Sequence, residues 1–395
     1  MKIRRDAIGK FWRLKIKYPL YYRLCALRPA DPKRAVFIEN RLSTLTSSFS
    51  LLHEELTARY DCRVSVCYLL KVDGTRRQYD RRCMKMIRQV ARAGVVFVND
   101  SSNVVGCLPF RKSTRVVQLW HACGAFKKWG FSNGKGKFGA SLRELKRYPY
   151  YADYDLVTVS SPEVIWAYSE AFNIPMPNDV VQATGVSRTD VFFREDFRQK
   201  AFARLYETVP QARGKKVILY APTFRGSVGK AMAPSNLNQE AFCERFADRY
   251  VLLCKHHPSV RRRPPIRPGC ENTVFDVTDS LSIEELMCVA DALITDYSSV
   301  VFEYSLFGRP ILIYAYDIAQ YTDWRGFYYD FESFVPGPIL RSNRQLLESI
   351  ARLEQYDLSR VRQFRDTYMS ACDGGATKRI IDAAFAGKLQ EKKAL

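Results

Sequence analysis

The amino-acid sequence predicts an α/β protein built from two doubly wound, Rossmann-type domains that face each other across a cleft. Three observations lead to this prediction. A chain of 395 residues is too long for one ordinary hydrophobic core. Short apolar runs rich in β-branched residues alternate with helix-like segments, which is typical of parallel sheets. A polar, helix-prone stretch over 194–213 divides these runs into two series.

The first series follows a basic N-terminal segment, residues 1–30, and is assigned to a domain over 31–210. Helical patterns over Ser48–Tyr60 and Arg81–Ala93 connect its first three strands. A helix between two strands favours their parallel pairing. The six expected strands are Ala35–Ile38, Val64–Leu69, Val95–Val98, Val116–Leu119, Leu156–Val159 and Val180–Ala183.

The second series is assigned to a domain over 211–395. Helices are expected over Ser282–Val289 and Val300–Leu306. The expected strands are Val217–Ala221, Tyr250–Cys254, Thr273–Phe275, Ala292–Thr295 and Pro310–Tyr314. Ligands of doubly wound sheets bind beyond the carboxyl ends of the strands, so candidate chemistry is sought in the residues that follow each strand.

The composition is that of a globular protein with a strong positive charge. The net charge is +21, with 47% hydrophobic and 26% charged residues. Such a charge favours an anionic partner, whether a lipid surface, a polyanionic product, a nucleotide or a nucleic acid. The eleven cysteines have no paired spacing and no secretory signal precedes them, which favours reduced thiols in the cytoplasm. No stretch approaches the ~20 apolar residues that span a bilayer.

The N-terminal segment combines basic and aromatic residues. Residues 1–28 contain nine basic side chains and one acid, Asp6. Aromatic side chains favour the headgroup region, and each basic residue near anionic lipid contributes roughly 1 kcal/mol. The segment predicts a peripheral membrane anchor; the alternative is a solvated basic segment packed on the first domain. Pro19 is expected to break a helix here, and Leu14 and Ile16 alternate as in a strand.

A second basic cluster follows the fourth strand. It comprises Lys127, Lys128, Lys135, Lys137, Arg143, Lys146 and Arg147. Because these cations begin shortly after His121, a candidate catalytic residue, they are expected to guide a phosphate-rich or lipid-linked acceptor. Lys127 and Lys128 are the members assigned to this acceptor or membrane side.

That candidate catalytic residue is His121. It follows the apolar run Val116–Leu119 and precedes Gly124, whose backbone freedom permits a tight turn. An imidazole exposed at a strand end has a pKa suited to removing a proton from a hydroxyl nucleophile. His121 is therefore interpreted as a general base, with a hydrogen-bonded structural histidine as the alternative.

A second candidate histidine ends a strand of the other series, in Lys255-His256-His257-Pro258. Alternation points the two imidazoles to opposite sides, and His257 lies at the strand end. Its expected task is to hydrogen-bond a donor phosphate and stabilise charge during transfer. A zinc site with Cys254 is disfavoured because the paired ligand spacing of closed zinc sites is absent. No metal ligand set is predicted, and stimulation by Mg²⁺ is left open.

A polar turn follows the strand Ala292–Thr295. Ser298 and Ser299 offer two hydroxyls and successive backbone N–H groups at the start of an expected helix, where anions are favoured. Together with Thr295 they are predicted to bind the phosphates of a nucleotide donor; simple N-capping by serine is the alternative. Glu303, about one turn further on, is expected to reach a ribose hydroxyl, or else to be a surface charge.

One more phosphate-binding candidate is Arg225, which follows the strand Val217–Ala221. Neither the loop of P-loop NTPases nor the G-x-G-x-x-G loop of dinucleotide oxidoreductases occurs in the sequence. No RRM, KH or zinc-finger pattern indicates nucleic-acid binding. The sequence thus favours phosphate chemistry outside these common classes.

In their order along the chain, these motifs resemble the CDP-glycerol glycerophosphotransferase family, the teichoic-acid primases and polymerases of bacterial cell walls. The family often has Trp-His-Gly-Thr-Pro-Leu-Lys where this chain reads Trp-His-Ala-Cys-Gly-Ala-Phe-Lys, a turn one residue longer. The matching segments are Gln118–His121, Gly185-x-x-Arg188-x-Asp190, Leu219–Arg225, His257-Pro258, Ile294–Tyr304, Arg309-Pro310, Tyr314–Asp317, Arg325–Tyr328, Pro336–Pro338 and Asp373–Ala376.

The resemblance implies a GT-B-like pair of domains and a transfer reaction. Glycerol phosphate or ribitol phosphate would pass from CDP-glycerol or CDP-ribitol to a hydroxyl of a polyprenyl-diphosphate-linked acceptor, with release of CMP. It implies that His121 is the base, that His257 handles phosphate, and that the serine pair binds pyrophosphate. It also implies a peripheral location on the cytoplasmic face of the bacterial cell membrane.

Two other functions compete with this one. A GT-B glycosyltransferase of capsule synthesis, similar to sialyltransferases, also uses a His-Pro pair and paired serines. A polyanion- or nucleic-acid-binding protein is suggested by the charge alone, but the positive residues concentrate at the N-terminus and after His121. The choice between glycerol and ribitol, between primase and polymerase, and of oligomeric state is left open by the sequence.

Overall fold

The computed structural model describes residues 2–71, 74–133, 140–151, 153–226, 230–322, 326–387 and 389–392. Lys135 and Lys137 of the second basic cluster, and Arg325 of the family motifs, lie outside these residues. The chain divides into two compact units. The first comprises Met1–Ala122, Lys128–Asp190 and Ala371–Leu395; the second comprises Cys123–Lys127 and Val191–Ser370.

The first unit contains a parallel six-stranded sheet in the order β2-β1-β3-β4-β5-β6. All six residues of β3 are buried, as expected for a central parallel strand covered on both faces. The strands are β1 Asp31–Glu39, β2 Arg63–Tyr68, β3 Ala93–Val98, β4 Arg115–Gln118, β5 Leu156–Thr158 and β6 Val181–Gln182. The helices are α1 Lys2–Trp12, α2 Tyr18–Cys25, α3 Ser47–Arg59, α4 Arg76–Val90, α5 Asn103–Gly106, α6 Leu142–Arg147 and α7 Ile165–Phe172.

The second unit contains another parallel six-stranded sheet, in the order β12-β11-β10-β7-β8-β9. Its strands are β7 Lys216–Tyr220, β8 Tyr250–Cys254, β9 Val274–Asp276, β10 Ala292–Thr295, β11 Ile311–Tyr314 and β12 Ile339–Leu340. Its helices are α8 Glu195–Thr208, α9 Gln239–Phe246, α10 Ile283–Val289, α11 Val300–Ser305, α12 Ile318–Thr322, α13 Phe331–Phe334, α14 Asn343–Ala351 and α15 Ser359–Tyr368.

The eleven strands expected from the sequence are all present, with ends shifted by a few residues. The two-residue strand β12 has too little pattern to be found in advance. Helix α4 begins five residues before the expected Arg81, because Thr75 and Gln78 form a capping box at its start. The predicted α/β class with two parallel sheets is therefore confirmed.

The last helix, α16 (Ala376–Phe385), corrects the expected domain bounds. Residues 371–395 were assigned to the C-terminal domain, over 211–395, but they belong to the first unit. Ile380, Ile381 and Phe385 are buried in the same apolar cluster as Phe37 and Phe97 of the first sheet. An amphipathic helix needs an apolar surface to cover, and its sequence does not specify which sheet provides that surface.

The N-terminal segment is helical, so the expectation that Pro19 breaks it is wrong. Helices α1 and α2 are joined by a π-helical turn over Arg13–Lys17, and Pro19 lies in the first turn of α2. A proline is tolerated there because the first turn of a helix does not require its N–H. Among the described residues, no helix has the length and apolar character needed to cross a bilayer.

Candidate active site

His121 lies just beyond β4, at the carboxyl edge of the first sheet, and it follows a residue in an unusual conformation. Trp120 has φ +56°, a left-handed value that is rare for a bulky residue. Its N–H donates to Gln118 Oε1 (2.9 Å), and its indole stacks on Trp129 with centroids 5.6 Å apart. These contacts fix a strained backbone at the turn that presents the histidine.

A hydrogen bond fixes the tautomer of His121. Its Nδ1 lies 3.1 Å from the main-chain oxygen of Asn99, which follows β3. Because a carbonyl oxygen can only accept, Nδ1 carries the proton and Nε2 keeps its lone pair. The side chain is 30% exposed, so the imidazole can meet a substrate. This is the state that a general base requires.

The charges around His121 favour its neutral form. Burial, then the positive charges of Arg41 and Arg188, lower the pKa of His121 to about 4, against the opposing effect of Asp100. Arg188 also holds the turn, since its Nη1 donates to the carbonyl oxygen of His121 (2.9 Å). At neutral pH the imidazole is therefore unprotonated and able to accept a proton.

His257 follows β8 in the second unit, and its side chain is exposed. The N–H of Ser259 donates to its Nδ1 (3.1 Å), so the neutral ring carries its proton on Nε2. Its ring also contacts Phe224, with centroids 4.9 Å apart. A ring N–H on an exposed histidine can donate to a phosphate oxygen. The neighbouring His256 is 5% exposed, so the two histidines do differ in their surroundings.

The residues after β10 differ in how far they can reach a ligand. Thr295 is fully buried, and its hydroxyl donates to the carbonyl oxygen of Ala221 (2.6 Å). Ser298 and Ser299 are half-buried, and the hydroxyl of Ser299 makes no capping hydrogen bond with α11. Glu303 is 1% exposed, so the alternative of a surface charge is wrong. The serine pair is thus the accessible part of this turn.

Arg225 is held by two carboxylates. Its Nε and Nη2 donate to Asp317 (2.6 and 3.0 Å), and Nη2 also lies 2.9 Å from Asp296 Oδ2. Burial alone would lower the pKa of Arg225, but the two carboxylates outweigh burial and raise it. Asp296 in turn accepts from the N–H of Thr223 (2.8 Å). Most of the guanidinium is therefore used to join the ends of β7, β10 and β11.

Asp317 was not predicted as a member of this network, although its position after a strand indicates it. Asp317 follows β11 as Asp296 follows β10, at the edge where parallel strands end together. Tyr297 OH donates to Asp317 Oδ1 (2.9 Å) and stacks on Tyr321 with centroids 3.7 Å apart. Arg225 follows β7 at the same edge of the sheet, so an ion pair between it and Asp296 or Asp317 could have been predicted from the sequence.

The two lysines assigned to the acceptor side differ in their surroundings. Lys127 belongs to the second unit, and its Nζ lies 5.3 Å from the centre of the Tyr321 ring. Lys128 belongs to the first unit and is exposed. Between Gly124 and Lys127 the chain inserts Phe126 among Phe327, Phe331 and Phe334 of the second unit. The aromatic cluster was not predicted, because its members are far apart in the sequence.

The family model for CDP-glycerol:poly(glycerophosphate) glycerophosphotransferases matches residues 20–386. The chain belongs to this family. It is 35% identical over 368 residues to a teichoic acid ribitol-phosphate primase of Bacillus spizizenii, covering 92% of this chain and 93% of the primase. Its identity to the ribitol-phosphate polymerase TarK of Staphylococcus aureus is 34%, over 89% of this chain and 68% of TarK. A glycerol-phosphate primase of Bacillus subtilis is 29% identical, over 76% of this chain and 75% of that primase.

Solved structures of the wall teichoic acid polymerase TagF share the fold of this family member. One covers 98% of this chain and 97% of the TagF chain, with a TM-score of 0.74 at 21% identity. A histidine-to-asparagine variant of TagF with CDPG gives a TM-score of 0.75 at 22% identity, covering 98% and 96% of the two chains. The predicted family, GT-B-like fold and alditol-phosphate transfer are confirmed, and the glycosyltransferase alternative is not favoured.

Proposed function

We propose that this chain transfers ribitol phosphate from CDP-ribitol to a hydroxyl of a polyprenyl-diphosphate-linked acceptor, releasing CMP. One observation carries the choice of ribitol over glycerol. Four relatives named for ribitol phosphate are 34–35% identical to this chain, whereas four named for glycerol phosphate are 27–30% identical. The extra hydroxyls of ribitol require hydrogen-bonding partners, so a change of alditol is expected to alter the sequence around the site.

In the proposed reaction, the acceptor oxygen attacks the β-phosphorus of the donor. The acceptor proton goes to Nε2 of His121, and the bond from the β-phosphorus to the bridging oxygen breaks, so that CMP leaves with that oxygen. The Nε2–H of His257 and the hydroxyls of Ser298 and Ser299 donate to phosphate oxygens and stabilise the charge that develops. Their exposure and hydrogen-bonding states support these roles.

Three further residues complete the donor side of the proposal. Glu303 is assigned to a ribose hydroxyl, and its buried carboxylate is a strong acceptor. Thr295 and Arg225 fix the shape of the donor turn, since the Thr295 hydroxyl bonds to Ala221 and the Arg225 guanidinium bonds to Asp317. Lys127 and Lys128 are assigned to the acceptor side on the basis of their charge.

A comparison of donors tests the reaction. The purified protein is incubated with a lipid-linked acceptor and with CDP-ribitol, CDP-glycerol or CMP-sialic acid, and CMP release and product mass are measured. We expect transfer from CDP-ribitol at a rate at least tenfold above CDP-glycerol, which corresponds to about 1.4 kcal/mol. Preference for CDP-glycerol would contradict the ribitol assignment, and transfer of sialic acid alone would contradict the reaction class.

Variants of two histidines in the first unit locate the base. His121→Ala should abolish transfer while leaving the binding of donor unchanged, because its Nε2 meets only the acceptor proton in this proposal. His53→Ala is the matched control, since His53 lies on α3 against Phe37, with ring centroids 5.9 Å apart. Turnover by His121→Ala equal to that of the control would remove His121 from the mechanism.

We further propose that the protein binds the surface of an anionic membrane through its N-terminal helices, on the cytoplasmic face. The outward side of these helices carries an apolar stripe, defined here as Ile8, Trp12, Ile16, Leu20 and Leu24, whose members are 46–64% exposed. Leu14, Tyr18 and Tyr22 are buried on the opposite side. Five exposed apolar residues at intervals of four support an interfacial helix.

The π-helical turn supports this arrangement. Residues four apart drift slowly around a regular α-helix, whose turn is about 3.6 residues. The wider turn over Arg13–Lys17 lies in the middle of the stripe and takes up part of that drift. Lys15 and Arg23 are exposed beside the stripe, while Lys10 pairs with Glu144 (2.6 Å) and Lys17 with Asp80. Exposed cations beside apolar side chains match an anionic lipid surface.

Sedimentation with lipid vesicles tests the membrane proposal. We expect binding to vesicles that contain phosphatidylglycerol, and weaker binding at high salt or to phosphatidylcholine alone. The double change Ile16→Ser and Leu20→Ser should lower the affinity at least about tenfold, since both apolar side chains lose their burial in lipid. Phe193→Ser is the control, because Phe193 is 52% exposed and lies outside the stripe. Equal binding by both variants would contradict the role of the stripe.

A further inference from the structure

A buried carboxylate that forms no ion pair with any described residue lies close to the proposed base. Glu39 is the last residue of β1 and is fully buried. Its Oε2 accepts from Asn99 Nδ2 (3.0 Å) and Thr46 Oγ1 (2.7 Å), and its Oε1 accepts from the N–H of Arg41 (2.8 Å). No described residue forms an ion pair with it. A buried charge of this kind is tolerated only because several donors surround it.

The same network reaches the imidazole through Asn99. The side-chain amide of Asn99 donates to Glu39 and also to Thr46 Oγ1 (2.8 Å), which fixes the residue at the end of β3. Its main-chain oxygen accepts from Nδ1 of His121 (3.1 Å). Glu39 therefore holds the residue whose carbonyl selects the tautomer of the histidine, without touching the imidazole itself.

We propose that Glu39 is a positioning residue that acts through Asn99 to keep the proton of His121 on Nδ1 and its lone pair on Nε2. The proposal rests on the proposed function, in which Nε2 is the base. In this arrangement each partner of Glu39 donates to it, and a carboxylate accepts from all three at once. A glutamine at this position would direct its NH₂ either at the N–H of Arg41, which cannot accept, or at Asn99 and Thr46, which would then have to rotate.

The glutamine variant gives a direct test. Glu39→Gln has almost the same shape as the native side chain and removes one acceptor atom. We expect kcat for transfer to fall about tenfold, a part of the 10²–10⁴-fold that a positioned base contributes, while KM for both substrates changes less than twofold. In ¹⁵N spectra of histidine-labelled protein, the His121 signals should shift from the Nδ1–H tautomer to a mixture, with His121→Gln used for assignment.

A second variant covers the case in which Glu39→Gln does not fold. Asn99→Ser keeps the main-chain carbonyl but cuts the side-chain link to Glu39, so it should cause the same loss of kcat and the same change of tautomer. Asp190→Asn is the matched control. Asp190 is another buried carboxylate of the first unit, and it accepts from the N–H groups of Ala376 (3.2 Å) and Thr377 (2.6 Å). The control should lower stability while leaving kcat and the tautomer unchanged.

Two results would overturn the proposal. One is a native kcat per folded molecule in Glu39→Gln or Asn99→Ser, and the other is an unchanged His121 tautomer in either. Failure of the proposed function is distinguishable, because an inactive wild-type protein would still report the tautomer of His121 by ¹⁵N spectroscopy.

Discussion

At the scale of single residues, the proposed chemistry depends on how two imidazoles are hydrogen-bonded. His121 donates from Nδ1 to the carbonyl oxygen of Asn99, whereas His257 accepts at Nδ1 from the N–H of Ser259. The first ring therefore offers a lone pair at Nε2 and the second offers a proton there. One backbone partner for each ring is enough to give the same residue type two opposite hydrogen-bonding states.

The depressed pKa of His121 predicts a broad pH range of activity. Because burial and two arginines lower the pKa of His121 to about 4, the proposed base is unprotonated across the neutral range. We expect kcat/KM of the free enzyme to lose no activity on the acid side until the pH falls below about 5, and then to fall as the imidazole is protonated. A profile of kcat/KM against pH, recorded at constant ionic strength, measures this. An acid limb near pH 6.5 would show that His121 has an ordinary pKa.

The same shift has a defined effect on stability. The folded-state pKa of His121, about 4, lies below the value of about 6.5 expected in the unfolded chain. The unfolded state therefore binds more protons, and the contribution of this group to stability is full above pH 6.5 and is lost as the pH falls towards 4. His121→Gln removes the titration, so its free energy of unfolding should depend less on pH in this window than that of the wild type. The free energy of unfolding is measured with denaturant at several pH values. An equal dependence on pH in the two proteins would contradict this prediction.

At the scale of elements, the turn after β4 depends on a glycine for two reasons. Gly124 has φ +62°, and an added Cβ would lie 2.0 Å from Cε1 of Phe302. The glycine lets the chain pass close to α11. Phe126 can then enter the aromatic cluster of the second unit.

An alanine at this turn should be strongly destabilising. We expect Gly124→Ala to cost more than about 3 kcal/mol, since about 1–2 kcal/mol for a left-handed alanine adds to the clash with the Phe302 ring. Gly214→Ala is the control, because Gly214 has φ +76° and no atom within 4 Å of its added Cβ. It should show the conformational cost alone. Thermal unfolding of the two variants compares them, and equal losses would show that the ring moves aside freely.

At the scale of the whole molecule, the chain leaves the first unit and returns to it. Residues after Ala371 complete the first unit, and α16 covers its sheet with Ile380, Ile381 and Phe385. The N-terminus of α16 is held by Asp190, whose carboxylate accepts two of its backbone N–H groups. The end of the chain is thus part of the unit that carries the proposed base.

Removal of residues 371–395 should therefore destabilise the first unit, although most of that unit lies far away in the sequence. Deletion of residues 371–395 removes the six buried side chains of α16, three of them large, and should cost about 5 kcal/mol or more, at about 1.5–3 kcal/mol for each large one. Deletion of residues 393–395 alone is the control, because it removes none of these side chains and keeps Leu389 on the apolar cluster and the backbone hydrogen bond of Lys392 to Arg59 (2.7 Å). Soluble yield and proteolysis of the first unit measure the effect. Native resistance of the first unit without residues 371–395 would contradict the assignment.

The pattern of local sequence determined the class of fold, the order of eleven strands and the identity of the two candidate histidines and the serine pair. These follow from apolar periodicity and from the rule that parallel strands end at a common edge, both of which act over a few residues. Tertiary structure alone decided that α16 joins the first sheet, that Asp317 holds Arg225, that Glu303 is buried, and that Asn99 sets the tautomer of His121. Each of these depends on contacts between residues far apart in the chain, and such contacts are selected by packing and by the need to satisfy buried polar groups rather than by any local pattern.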